Sequence, residues 1–169
     1  MRTLAVVVGL SLAPAALAQQ NPWDLAKKAA GNATVGKLEG QINKQLLTEA
    51  HKNQCSFKTD TAVLEPGCDP KAKKLANALV DAKKRINGAG VKNFKFVVSG
   101  HTDTSGSAAH NKELSQRRAE VMRDELVKKG IASGDIQAVG MGSEQPLVKP
   151  DNTPAKKAKN RRYEVQVKL

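Results

Sequence analysis

The residues of this chain with the types and spacing to do chemistry lie between His101 and Arg118: the run His101-Thr102-Asp103, then His110, Asn111 and Arg118. At about 100° per residue along the helical pattern that begins near Ala108, Leu114, Ala119, Val121, Met122 and Leu126 share one apolar arc. Arg118 falls inside that arc and Asn111 lies beside it. An arginine centred on a buried face is costly unless its guanidinium is paired. The nearest anion in sequence is Asp103, on the loop that leads into the same helix. Two arrangements satisfy both charges. One is an internal Asp103–Arg118 salt bridge. The other is a split pair, in which Asp103 takes a ligand ammonium and Arg118 takes a ligand carboxylate in its bidentate fork. Patterning alone favours the internal pair.

His101, Asp103 and His110 also have the residue types of a metal site or an acid–base pair. Against that, a loop histidine more often faces solvent than a ligand. The chain holds no His-Glu-x-x-His, no nucleophile elbow and no glycine-rich phosphate loop with its lysine. A non-enzymatic protein without metal or cofactor is expected. Cys55 and Cys68 are the only cysteines. In an exported chain an even count reads as one disulfide closing a short loop, with two free buried thiols as the alternative. A zinc site fails for want of a second ligand pair.

Export is expected from the first residues. Arg2 supplies a positive start, Leu4 to Ala16 is apolar, and Ala16-Leu17-Ala18 offers a small-x-small cleavage pattern, so Met1 to Ala18 reads as a signal peptide. The apolar run is shorter than the roughly 20 residues that cross a bilayer. Cleavage leaves Gln19 first rather than a cysteine, which excludes lipid attachment there, and no later segment is apolar enough to span a membrane. With 28 Lys+Arg against 16 Asp+Glu the chain carries +12, and removal of Arg2 with the leader makes this +11. Outside the cytoplasm such a charge meets lipopolysaccharide, anionic lipid and the cell wall rather than nucleic acid.

The elements that must position these residues follow from periodicity. Gln19 to about Asn32 is a polar tether, and Val35, Leu38, Ile42 and Leu46 make an amphipathic helix to about Lys52. The domain proper is expected over residues 53–169. A weak first strand surrounds Phe57. Asp69, as N-cap before Pro70, opens a helix with Leu75, Leu79, Ala82 and Ile86 on its buried stripe. Phe94, Phe96 and Val98 alternate as a strand up to Gly100, and the long helix from Ala108 ends at Gly130. Ile136, Ala138 and Val139 mark another strand, Lys156 to Asn160 a basic helical segment, and Tyr163, Val165, Val167 and Leu169 a terminal strand. Strands joined through helices cannot all be hairpin neighbours, so a small mixed sheet covered by helices is expected.

Gly100-His101-Thr102-Asp103, Gly106-Ser107, Asn111, Leu114-Ser115, Arg118-Ala119, Val121, Gly130-Ile131, Gly140-Met141-Gly142, Pro146 and Asn160-Arg161-Arg162 together resemble the signature of OmpA-like domains, shared by MotB- and Pal-type proteins. The resemblance covers about Phe57 to Leu169. It implies an α+β domain of βαβαβ type that binds peptidoglycan through the diaminopimelate of the stem peptide and so anchors or organises the cell envelope. The place it implies is the periplasm, with association to the outer membrane. Residue by residue, Asp103 would take the ammonium and Arg118 a carboxylate, with Asn111 and the backbone around Thr102 bonding the remaining oxygens. With such a ligand the split pair becomes the favoured arrangement. Arg161 either lines the same pocket or braces the final strand against a carboxylate, and Thr59 to Thr61 would add backbone contacts. Two departures stand out: His110 replaces the aromatic residue that usually precedes Asn111, and Tyr163 follows the paired arginines where an aliphatic residue is common. The cysteines and the N-terminal helix lie outside the pattern. The competing class is a basic interaction protein that binds lipopolysaccharide or an envelope protein through Lys83-Lys84-Arg85, Lys156 to Arg162 or the N-terminal helix.

Overall fold

The computed structural model describes residues 32–169; the expected signal peptide and most of the tether lie outside the described residues. Helix α1 spans Asn32–Lys52 and buries Val35, Ile42, Leu46 and Ala50, the stripe that its spacing sets on one face. Helix α2 spans Cys68–Gly88, two residues longer at its start than Asp69-Pro70 implies. Gly67, at φ 90°, occupies the cap position without a side-chain bond, because a left-handed glycine lets the Pro66-Gly67 turn feed straight into the helix. Asp69 instead sits in the first turn and pairs with Lys129.

Strand β1 (Lys95–His101) leads through the polar loop into α3 (Ala108–Lys128), whose N-terminus is capped by Ser107 accepting from the His110 amide. Strand β2 (Ile136–Gly142), the short helix α4 (Pro154–Asn160) and β3 (Arg162–Lys168) complete the order. The sheet is mixed, in the order β2-β1-β3: β1 runs parallel to β2, with Phe96 opposite Ile136, and antiparallel to β3, with Phe96 opposite Val167. The segment around Phe57 is not a strand of this sheet. It closes on itself in a single antiparallel bridge between Phe57 and Leu64, because the disulfide and the Pro66-Gly67 turn fold it back too soon to reach a sheet edge.

Helices α1, α2 and α3 supply one core with Phe96, Val98, Tyr163, Val165 and Val167 of the sheet. Helix α1 is fastened to β3: the Asn43 side chain donates to the Val167 carbonyl at 3.0 Å and accepts from its amide at 2.6 Å. Helix α3 lies directly on β1 and β2 because two glycines face it. A Cβ at Gly100 would collide with the Ser115 carbonyl, and one at Gly140 with the backbone of Gln116 and Lys112. The Ser115 hydroxyl meanwhile accepts from the Gly142 amide at 2.8 Å. This close seating fixes both ends of the β1–α3 loop. No described helix is long and apolar enough to cross a membrane.

Candidate functional site

The β1–α3 loop is held from several sides. The Thr102 amide donates to the Gly142 carbonyl at 2.9 Å, so it continues the β1–β2 edge. Asp103 folds back to accept from the Ser105 amide at 2.9 Å. The Asn111 amide nitrogen, on the first turns of α3, donates to the carbonyls of Ser105 at 2.8 Å and Asp103 at 3.3 Å. From the far side, Asp151 accepts from both the amide and the hydroxyl of Thr104. Those two bonds hold the Asp151 carboxyl down at about 2.

These elements wall an open cleft of about 990 Å³. Thr102, Asp103, Asn111, Arg118 and Arg161 all line it, as do Thr59 and Asp60. Asp103 and Arg118 do not pair with each other. Asp103 Oδ2 accepts from Arg161 Nη1 at 2.6 Å. Burial pushes the Asp103 carboxyl up, but the Arg161 and Ser105 bonds outweigh it and leave it below the usual carboxylate range. Arg161 thus braces a carboxylate while also lining the cleft, two roles that are not exclusive at this position.

Arg118 is only 9% exposed and meets its partners on the opposite wall. Its Nε donates to the Thr61 carbonyl at 2.8 Å, its Nη2 to the Lys58 carbonyl at 3.4 Å, and its guanidinium lies 5.1 Å from the centre of the Phe57 ring. Burial draws its basicity down and Arg161 adds to this, with Asp60 and Asp103 acting in the other direction. Its helix face is as the arc requires: Leu114, Ala119, Met122 and Leu126 are buried and Val121 is half-buried. An apolar arc with a charged centre is therefore a helix face that begins in the core and ends in a cleft.

The structure adds Asp60, which the sequence did not single out, and gives the two histidines their surroundings. Asp60, at φ +54°, reaches across to His110, whose Nε2 lies 2.7 Å from the carboxylate. His110 holds that place because a ring at this position spans from α3 to the loop tip. His101 is buried at 2% exposure, contrary to the solvent-facing loop histidine expected, because β1 runs one residue beyond Gly100 and Arg162 of β3 lies across it. Neither ring nitrogen has a hydrogen-bond partner among the described residues. Burial, reinforced by the Arg162 charge and opposed by Glu164, lowers the His101 imidazole to about 4. Cys55 and Cys68 form the disulfide, which closes the segment carrying Phe57, Asp60 and Thr61. Among the described residues no group of three or more His, Cys, Asp or Glu side chains forms a metal-binding cluster.

Comparison with known proteins meets this geometry. Over 71 residues the chain is 49% identical to outer membrane porin F of Pseudomonas fluorescens, covering 41% of this chain and 21% of that protein. It is 41% identical over 73 residues to the peptidoglycan-binding protein ArfA of Mycobacterium tuberculosis, covering 43% of this chain and 22% of that one. The chain thus spans about a fifth of the length of either relative. The peptidoglycan-associated lipoprotein of Burkholderia pseudomallei shares the fold, with a TM-score of 0.57 at 24% identity over 70% of this chain and 92% of that one. The OmpA family model matches residues 56–161, from the loop beneath the disulfide through both walls of the cleft to Arg161. By that match, the chain belongs to the OmpA family.

Proposed function

We propose that this protein binds peptidoglycan non-covalently, by clasping the diaminopimelate of a stem peptide between Asp103 and Arg118, and so anchors or organises the cell envelope. The observation that carries this reading is that a carboxylate and a guanidinium line one cleft and are kept apart, each on its own internal partner. An amphoteric side chain fits such a site, because its ammonium and carboxylate satisfy both poles at once. Arg161 is exposed and its guanidinium occupies the place at Asp103 Oδ2 that a ligand ammonium would take. On binding, Arg161 yields that place and turns to a ligand carboxylate. Among the described residues Arg118 bonds through Nε and Nη2, and it offers Nη1, with Nη2, to the carboxylate. Asn111 holds the loop with its nitrogen and presents Oδ1 to a ligand N–H, and Thr102 forms the adjoining wall. The role is binding rather than catalysis, and the likeness to the peptidoglycan-binding protein ArfA supports the wall as ligand. The place of action is the periplasm, reached by a signal peptide over residues 1–18 and leaving residues 53–169 as the wall-binding domain, with association to the outer membrane.

The test is co-sedimentation with purified sacculi at moderate salt. The parent chain is expected to pellet, Asp103→Asn to remain in the supernatant with its fold intact, and free diaminopimelate to compete. Binding indifferent to both, yet abolished by raised salt, would sink the clasp. The +11 charge left without the leader, with its exposed lysines, would then hold the protein to lipopolysaccharide or an anionic envelope protein.

A further inference from the structure

We infer that the Cys55–Cys68 disulfide is a positioning device for Arg118: it ties down the loop whose carbonyls keep the guanidinium from collapsing onto Asp103. The inference rests on the clasp reading and concerns what keeps the clasp open. Arg118 sits on a nearly buried helix face, where a guanidinium must find acceptors. Two negative groups act on it electrostatically, Asp60 and Asp103, yet it bonds to neither; it bonds to the carbonyls of Thr61 and Lys58. Those carbonyls lie in the segment that the disulfide closes, 13 residues from one cysteine to the other.

Apart from the disulfide, the segment is held by short local bonds, among them Thr61 to the Lys58 carbonyl, and by one side-chain tie to α3, Asp60 with His110 at 2.7 Å. It has one isolated bridge, Phe57 with Leu64, and the amides of Lys58 and Glu65 bond to the carbonyls of Val63 and Ser56 at 2.9 Å. A two-stranded ribbon of this size is marginal in water by itself. Its base is anchored through Tyr163, the residue that replaces an aliphatic side chain at this place. The Tyr163 hydroxyl donates to the Asn53 carbonyl at 2.5 Å and accepts from the Cys55 amide at 3.3 Å. Cys55 is therefore fixed to β3 and Cys68 to the first turn of α2, and the disulfide joins two rigid posts beneath the loop. Without it the ribbon frays and draws the two carbonyls and Asp60 away from Arg118, which leaves Asp103 as the other anion acting on it. The pair that forms displaces Arg161 from Asp103 and joins the two poles directly, and a ligand has to break it before binding. Ordering a loop before the ligand arrives raises affinity by removing that cost.

The test compares the parent chain with Cys55→Ala/Cys68→Ala well below either unfolding transition. The readouts are affinity for a diaminopimelate-containing muropeptide and the exchange rate of the Arg118 Nε proton by nuclear magnetic resonance. The variant is expected to bind about tenfold more weakly, with Arg118 Nε exchange accelerated and with Arg118→Ala costing less than it does in the parent. Unchanged affinity and unchanged Nε exchange, with only a lower Tm, would overturn the inference and leave the clasp standing. Faster Nε exchange in a protein whose parent binds no muropeptide would keep the positioning role and remove the clasp. Should the variant not fold, hydrogen exchange of the Lys58 and Glu65 amides in the ligand-free parent decides. Slow exchange is expected, and protection gained only on adding muropeptide would overturn the loop's preorganisation.

Discussion

His101 shows how much a single side chain at this site costs the fold. It is buried, both ring nitrogens lack partners among the described residues, and its imidazole is lowered to about 4. A histidine with a folded value below its unfolded one binds protons more readily when unfolded. Its contribution is therefore complete above about pH 6.5 and declines as the pH falls toward about 4. The charged groups facing it are Arg162 and Glu164, which pair with each other at 2.7 Å. His101→Phe is expected to raise Tm at pH 5 and to flatten the Tm profile between pH 6.5 and 4, as followed by circular dichroism; an unchanged slope would place the titration elsewhere. The charges that matter most at this scale were legible. An arginine inside an apolar arc announces an acceptor, and Arg118 has one. Which acceptor was not legible, since backbone carbonyls from Lys58 and Thr61 leave no mark in side-chain patterning. Nor did Asp60 and His110, fifty residues apart, carry a signal that they meet.

Among the elements, the seating of α3 on the sheet governs the cleft. Gly100 and Gly140 admit the backbone of α3 where any Cβ would strike it. Gly100→Ala is expected to destabilise by about 1 to 3 kcal/mol, the usual cost of overpacking, and to weaken sacculus binding by tilting the helix that carries Asn111 and Arg118. Denaturant unfolding and co-sedimentation measure the two effects, and a full-affinity variant would show that the cleft tolerates the shift. Helices α1, α2 and α3 were readable from their 3.6-residue apolar spacing, and β1 and β3 from strict alternation. The Phe57 segment was misread as a strand because its composition suits one. Chain closure by the disulfide, a constraint from outside the local pattern, decides that it forms a loop. The start of α2 was shifted for a similar reason: Asp69-Pro70 has cap chemistry, but Gly67 has the backbone freedom to begin the helix earlier.

For the whole molecule, the expected N-terminal helix shares the core through Val35, Ile42, Leu46 and Ala50. Residues of α1 and β3 that are 124 positions apart are joined through Asn43 and Val167. A chain ending after Asn160 is therefore expected to lack the native circular dichroism spectrum and a cooperative transition, since β1 loses its antiparallel partner and α1 its anchor together. A cooperative transition in that truncation would mean that β3 is dispensable. The amphipathic stripe of α1 was plain in the sequence, but its partner was not, because periodicity tells which face is buried and not against what. The same arrangement bears on when the domain can fold. The central strand pairs with strands on both sides that follow it in the chain, and α1 waits for β3. Contacts of such long sequence separation form slowly and only once the distant segment is present. A ribosome or translocation channel that still held β3 would hold an unfolded domain, and the emergence of that closing strand completes the sheet and the helical layer in one step.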